Sequence, residues 1–337
     1  MKTVLLLFGG ESSEHDVSMA SSKNVDAAID HEKYDVRYGY IDTTGQWWLV
    51  SSITDNVDDA VMLLPKLGTG SLMAGDESLT VEVILPILHG ENGEDGSVQA
   101  LAQLLHIPVV GCDMTSSAIA MNKHIAKQVA MNHDMKVAPY AVHYGEQPLP
   151  LYTQLVEALG ETLFVKPATG GSSVGVSKVH NQAELEQAVQ QAHDYDRTVL
   201  IEKAVTAREL EVAVLGDYID NQVSAVGEII PEGDFYTYDS KYDSNSTSQA
   251  VIPADIAPEI QEKLQRLAQR LFLILGLRGM ARVDFFLDKQ DGEIYFNEVN
   301  TIPGFTNISM YPKLWEQAGI STTVLLDQLI SIALDKK

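Results

Sequence analysis

Two neighbouring segments, GMARVDFFL (279–287) and EIYFNEVN (293–300), set the tightest limit on what this chain can fold into. Both alternate as strands do, and Asp291-Gly292 between them marks a hairpin turn. Successive strand side chains point to opposite faces. Met280, Arg282, Asp284 and Phe286 therefore share one face, and Ala281, Val283, Phe285 and Leu287 the other. In the second strand Phe296, Glu298 and Asn300 share a face. The hairpin is expected to set Arg282 and Asp284 across from Phe296 and Glu298, within one pair. One face is wholly apolar and the other interleaves Phe and Met with charges, so the sheet should be covered on both sides. Taken singly, these carboxylates read as a solvated polar face. As a set under cover, they repel unless a cation sits between them. Oxygen donors suit Mg2+, which takes one or two carboxylates plus substrate phosphates. Glu298 is thus placed to bridge two ions, with Asp284 and Asn300 each holding one.

Charge sharpens the question. The 337 residues carry 23 Lys+Arg against 47 Asp+Glu, a net charge of −24. Such a field repels nucleic acid and anionic membrane surfaces, and a nucleotide too unless lysines and cations are concentrated at one place. Lys166 stands just before PATGGSSVG (167–175). This is no Walker loop: it lacks Gly-Lys-Ser/Thr and runs into a strand rather than a helix. A Gly-rich hairpin can lay backbone N–H groups over phosphates; a flexible hairpin tip accounts for it equally well. Lys123, alone, reads as a solvated helix residue. GGESSE near the start lacks the third glycine of a dinucleotide fingerprint, which disfavours a nicotinamide-dependent dehydrogenase.

The order of elements gives the fold class. Residues 2–8 read as a buried strand rather than a secretory signal, since only five apolar residues precede Gly9-Gly10. A helix follows to about 29, capped by Ser12 or Ser13, then strands at 34–41 and 81–90, a helix at 97–106 and a short strand at 107–111. This first third reads as a parallel sheet with helices on it. Beyond it come one helix at 116–133, strand–loop–strand at 163–179, a helix near 181–195, strands at 198–205 and 209–216, and a polar loop at 231–250. A helix over 256–275, the hairpin and a helix over 321–335 close the chain. No apolar stretch reaches membrane-spanning length. One cysteine, Cys112, excludes an internal disulfide framework, and a reducing, cytoplasmic setting is the default.

Together these motifs make the chain resemble a D-alanine–D-alanine ligase of the ATP-grasp superfamily. LHGENGEDG, MNK, VKPATGGSSVGVSKV, IEK, ELEVAVLG, YTYDSKY, RVDFF and NEVNTIPGFTNISMYPKLW occur in the family's order over nearly the whole chain. The resemblance implies an α/β fold: an N-terminal Rossmann-like domain (1–115) followed by the two lobes of an ATP-grasp fold (116–204 and 205–337). It implies ATP, two Mg2+ or Mn2+ ions, D-alanine as substrate, peptidoglycan precursor synthesis and a homodimer. It assigns Lys123 and Lys166 to the phosphates, Glu202, Lys203, Ala204 and Val205 to the adenine, Glu209 to the ribose and Lys241 to the γ-phosphate. Asp284, Glu298 and Asn300 are implied as metal ligands. Glu14 would hold the ammonium of the first D-alanine, with His89 beside it. Arg282 and Gly304 would stabilise oxyanions, and Ser309 and Met310 would meet the second D-alanine. Ser172 and Tyr242 would link to Glu14 and close the 231–250 loop as a lid. Ala204 departs from the bulky aromatic of many relatives. Tyr242 stands where relatives that favour D-lactate carry Phe. A D-alanine–D-lactate ligase and a non-catalytic nucleotide sensor on the same fold are the alternatives.

Overall fold

The run VLLLF at 4–8 is buried on both sides, as a continuous apolar stretch requires. It forms the centre of β1 (Lys2–Gly9). The computed structural model describes residues 1–145, 147–172, 174–230 and 249–335. After β1 come α1 (His15–Ala28), β2 (Tyr34–Ile41), β3 (Trp47–Val50), β4 (Val61–Lys66), β5 (Ser71–Ala74), β6 (Glu77–Thr80), β7 (Val83–Ile87) and α2 (Ser97–Leu105). The middle holds α3 (Met114–Met121), α4 (Lys123–Asn132), β8 (Tyr140–Tyr144), α5 (Tyr152–Leu159), β9 (Leu163–Pro167), β10 (Ser177–Val179), α6 (Gln182–His193) and β11 (Thr198–Lys203). The last part holds β12 (Ala207–Gly216), β13 (Asn221–Ile230), β14 (Gln249–Val251), α7 (Pro258–Ile274), β15 (Gly279–Asp288), β16 (Ile294–Asn300), α8 (Met310–Gln317) and α9 (Thr322–Leu334).

Among the described residues the strands form three sheets. The first has the order β6-β5-β4-β3-β2-β1-β7. The expected parallel pairing holds for β2, β1 and β7, but β3 to β6 extend the sheet antiparallel. The turn at 42–46 explains the switch. Asp42 Oδ1 accepts the backbone N–H groups of Thr44 and Gln46 at 2.8 and 3.0 Å, and so tight a turn can only reverse the chain. Residues 107–111 do not form the expected strand; Val109 alone bridges to Ile84.

The end of β1 shows why this sheet presents a site at its edge. A Cβ on Gly9 would lie 2.1 Å from Ile41 O. The Gly9 N–H donates to Ser18 Oγ at 2.9 Å, and the Ser18 hydroxyl donates to Ile87 O. Buried serines of α1 thus replace backbone partners at the strand ends, which brings Glu14 to the carboxyl edge of the parallel strands.

The second sheet, β10-β9-β11-β8, and the third, β14-β13-β12-β15-β16, are antiparallel. Leu264, Ala268, Leu271 and Phe272 of α7 bury against Val212, Val283 and Phe285 on one face of the third sheet. Residues 116–133 are two helices, not one. Asn122 accepts the Ile125 N–H at 3.0 Å and caps α4, and a side-chain cap of this kind restarts a helix rather than continuing it. α9 returns to the first sheet, where Leu325, Leu329 and Ile330 join Val4 and Leu6. No single helix among the described residues is long and apolar enough to cross a membrane.

Candidate active site

β12, β15 and β16 lie side by side, and their register sets Glu211 opposite Asp284 and Asp284 opposite Glu298. Arg282 faces Asn300, a register within the one pair that the hairpin argument allowed. The register shifts after Asp284, so that Phe285 pairs with Phe296 and Asn297 is an extra residue on β16. One added residue turns a strand over. Phe296 therefore packs on the apolar face, its ring centroid 6.4 Å from that of Phe285, while Asn297, Glu298 and Asn300 line the cleft.

The cation expected between the side-by-side carboxylates is supplied in part by the protein itself. Arg282 donates from Nε and a terminal nitrogen to the two oxygens of Asp284, both at 2.8 Å. Its Nε also lies 3.0 Å from Glu211 Oε2. Lys123 Nζ lies 3.6 Å from Glu298. Burial works against the Arg282 charge, but Asp284 and Glu211 more than offset it and hold its pKa well above the ordinary value. The donor set still fits a hard divalent cation. Asn300 donates its amide N–H to Asp284 Oδ2 at 3.0 Å, leaving its oxygen as a donor to a cation. Each carboxylate oxygen accepts more than one partner. Among the described residues no three Asp, Glu, His or Cys side chains converge as a ready cage, so the remaining oxygens have to come from a ligand, as Mg2+ sites beside phosphates commonly arrange.

A cleft of about 730 Å3 runs from this row to the second sheet and on to the first. Lys166 enters it from β9 and Lys123 from the first turn of α4. Lys123 Nζ donates to Gly170 O at 2.6 Å, and its N–H donates to Ala168 O at 2.8 Å, so the Gly-rich hairpin is tied down at its base. Gly170, Gly171, Ser172, Val174 and Val176 line the cleft above. Glu202, Lys203, Ala204, Val205 and Glu209 line its far end beside Phe164, Leu210 and Phe286. Glu202 is not simply a rim residue. Its Oε2 lies 2.7 Å from Lys166 Nζ, and its Oε1 3.1 Å from Nζ of the fully buried Lys127. Burial raises its pKa, and the two lysines bring it below the ordinary value on balance.

At the other end Glu14 is boxed in. A Cβ on Gly90 would come 2.8 Å from its Oε2, and one on Gly171 2.7 Å. Ser172, held at φ +50°, donates its hydroxyl to Glu14 Oε1. A carboxylate so confined can accept only from a small cationic or hydrogen-bonding group in the cleft. Two lysines, an oxygen donor row and a recessed carboxylate along one cleft are the requirements for activating a small carboxylate with a nucleoside triphosphate.

The comparisons agree. A family described as D-ala D-ala ligase N-terminus matches residues 3–112, and one described as D-ala D-ala ligase C-terminus matches 129–331. The chain belongs to the D-alanine–D-alanine ligase family. It is 40% identical over 350 residues to a D-alanine–D-alanine ligase of Thermoanaerobacter sp. (strain X514), covering 99% of this chain and 97% of that one. To the D-alanine–D-alanine ligase A of Salmonella typhimurium it is 41% identical over 349 residues, covering 98% and 95%. Among solved structures it resembles the VanG D-Ala:D-Ser ligase of Enterococcus faecalis, with TM-score 0.90 and 33% identity over 98% of this chain and 99% of that one. It also resembles the D-alanine–D-alanine ligase of Coxiella burnetii, with TM-score 0.87 and 32% identity over 100% and 96%. The fold is therefore the mixed α/β ATP-grasp fold of these ligases, and the family uses ATP and a divalent metal.

Within the ligase family's residue set, the cleft gathers every described position expected from sequence, Met310 included. Met310 forms part of the cleft wall at the start of α8, largely buried, with its sulfur packed close to Gly227. Ser309 Oγ accepts the Thr306 N–H at 2.9 Å, and a Cβ on Gly304 would lie 2.7 Å from that oxygen. His89 braces the same loop: Nδ1 donates to Ile302 O at 3.0 Å, and Nε2 accepts from Ser21 Oγ at 3.2 Å. Burial pushes its pKa down, which keeps this tautomer neutral. Lys241, Tyr242 and residues 231–248 of the expected lid lie outside the described residues.

Sequence reading missed Lys127, Glu211 and Glu94. Glu94, in the GENGEDG loop, is buried and accepts backbone N–H groups from Gly90 at 3.0 Å and Ile302 at 3.1 Å. It joins the two loops that flank Glu14. Burial first, then the charge of Glu14, raises its pKa from 4.5 to about 7. The folded state thus holds this proton more tightly than the unfolded chain does. Its contribution to stability is full below the unfolded value and lost as pH rises through about 7. In urea unfolding from about pH 5 to about pH 8, wild type is expected to lose stability relative to Glu94→Gln by an amount on the order of 1–3 kcal/mol. A gap between the two proteins that does not change with pH removes this role from Glu94.

Proposed function

We infer that this chain is an ADP-forming ligase that joins two D-alanine molecules at the expense of ATP, supplying a dipeptide for peptidoglycan precursors. The observation that carries this reading is the single cleft that holds the Gly-rich hairpin, Lys123 and Lys166 at one place and the confined Glu14 at another, with Arg282 and the oxygen donors between them.

Glu14, oriented by Ser172, holds the ammonium of the first D-alanine, so that its carboxylate points towards the Arg282 row. Lys123, Lys166 and the hairpin N–H groups hold the phosphates of ATP, with adenine against Phe164, Val176, Leu210 and Phe286 beside Ala204. The carboxylate attacks the γ-phosphorus, the bond to the β,γ-bridging oxygen breaks, and ADP leaves as D-alanyl phosphate forms. The amine of the second D-alanine then attacks the acyl carbon, loses a proton, and phosphate departs. Arg282 and the Gly304 N–H meet the negative charge that develops on oxygen in these steps. Asp284, Glu298 and Asn300 would hold the divalent ions, two Mg2+ or Mn2+ in this reading, which neutralise phosphate charge when bound. The acyl phosphate is hydrolysed if water reaches it, so recessing it between lobes protects it.

The units at 1–115, 116–204 and 205–337 are the reading's domain division, and each stretch carries one sheet. We place the enzyme in the cytoplasm, where ATP is available. A homodimer through the first unit is supported by the exposed Val61, Leu64, Leu67 and Leu104.

The test is phosphate release and product analysis with MgATP. D-alanine should give phosphate and D-alanyl-D-alanine, and L-alanine neither. Offered D-alanine, D-serine and D-lactate together, the enzyme should make the D-alanyl-D-alanine dipeptide as its main product. A depsipeptide as main product, or no phosphate with D-alanine, defeats the reading.

A further inference from the structure

Lys127 never reaches the cleft, yet it is the most deeply buried cation near it, with no exposed surface. It sits one turn after Lys123 on α4, so the two ammonium groups leave the same helix face. Lys123 goes to the hairpin and Glu298. Lys127 goes to Glu202, whose other oxygen carries Lys166. The Lys127 ammonium forms no hydrogen bond to any other described residue. Burying such a charge costs free energy unless its partner is fixed and ionised, so its presence here calls for a purpose.

We propose that Lys127 is a positioning residue for nucleotide binding: it takes up the Glu202 charge so that the Lys166 ammonium stays available to phosphate. The charge balance makes the case. Lys166 and Glu202 alone form a neutral pair, and a phosphate approaching Lys166 then competes with a carboxylate 2.7 Å away. With Lys127 at 3.1 Å from the other oxygen, the buried trio carries one net positive charge. Glu202 then divides its charge between two ammonium groups, which weakens its competition with phosphate for Lys166. The inference rests on the nucleotide reading of the cleft. ADP binding by the wild-type enzyme tests that reading separately.

The groups facing Lys127 are Glu202 on β11, Lys166 on β9 and Glu298 on β16, with the Tyr140 ring of β8 6.0 Å from its Nζ. Burial lowers its pKa to about 8, against the opposing pull of Glu202. Nucleotide affinity should therefore fall as pH rises through this value, when Lys127 loses its proton and Glu202 is left with Lys166 alone.

The experiment is calorimetric ADP binding with Mg2+ from about pH 6.5 to about pH 9.5, with steady-state KM and kcat alongside. Lys127→Met keeps the length of the side chain and removes its charge. It is expected to weaken ADP about tenfold at neutral pH, to raise KM for ATP more than it lowers kcat, and to abolish the alkaline fall in affinity. Combined with Lys166→Met, it should add much less than it does alone, since its effect passes through Lys166. Lys127→Arg, which cannot deprotonate, serves if the Met variant does not fold: affinity at neutral pH is kept and the alkaline fall disappears. Wild-type ADP affinity in Lys127→Met, an alkaline fall that persists in either variant, or full additivity with Lys166→Met overturns the proposal and leaves Lys127 a packing residue.

Discussion

Asp284→Asn is expected to lower turnover with MgATP by about 10²–10³-fold, the usual cost of removing one electrostatic contact from a phosphoryl- or acyl-transfer site. Glu298→Gln should lower it comparably. Their effects on folding should differ, because the two carboxylates are held differently. Asp284 takes both hydrogen bonds of the Arg282 fork and the amide of Asn300. Breaking a buried pair of this kind costs about 3–5 kcal/mol when the surviving charge is stranded. Glu211 stays 3.0 Å from Arg282, so a loss of about 1–3 kcal/mol is expected for Asp284→Asn. Glu298 lies 3.6 Å from Lys123, a looser contact than the Arg282 fork on Asp284, and its substitution should cost about 1 kcal/mol or less. Two repelling carboxylates, taken alone, predict that removing either one stabilises the metal-free protein. The Arg282 fork reverses that sign for Asp284. Unfolding without metal, and turnover with MgATP, separate the two effects. Near-normal turnover in either variant takes the metal role away from that residue.

Why the sequence revealed Asp284 and Glu298 but not their surroundings is a matter of range. Alternation is local, so the polar face of β15 was legible from its own residues. The pairing of Asp284 with Glu298 followed from a hairpin only a few residues long. The extra residue at Asn297 was not legible, because a bulge keeps the strand's composition while shifting its phase by one. Phe296 consequently went to the wrong face. The antiparallel strands between 47 and 80 are short and only weakly alternating, and they left no signal. The break at Asn122 did leave one, since Asn is a favoured cap, but helical periodicity on both sides concealed it. Glu94, Glu211 and Lys127 are different again. Each is an ordinary charged residue in its own segment. Each acquires a role only through a partner brought close by the fold, such as Ile302, 208 positions from Glu94. The resemblance to a ligase family supplied what alternation could not, namely Glu14 and Ser172, whose contact spans 158 positions.

That contact gives the second large effect. Gly171→Ala should leave a folded, nucleotide-binding protein that has lost most of its affinity for the first D-alanine. Gly171 carries no unusual φ, so alanine is not excluded by the backbone. The difficulty is spatial: its Cβ would stand 2.7 Å from Glu14 Oε2, closer than carbon and oxygen approach without bonding. Something must move, and the carboxylate at the end of a flexible side chain moves at less cost than the hairpin. Glu14 is held in place by Ser172, and on its other side a Cβ at Gly90 would also crowd it. Pushing it out of this box misaligns the acceptor for an ammonium group. Polar sites lose much of their discrimination when the geometry of one such group is spoiled, and a fall of about 10²–10³-fold in kcat/KM for D-alanine is expected. Glu14→Gln should give a similar fall without any steric change, because the amide lacks the charge. In both variants ADP binding, which depends on Lys123 and Lys166, should stay within about threefold of wild type, and the melting temperature should barely change, since no buried group is stranded. The split between the two ligands is the decisive readout. A Gly171→Ala enzyme that loses ADP and D-alanine together has a distorted hairpin rather than a displaced Glu14. One that keeps its D-alanine KM shows that the ammonium is held elsewhere.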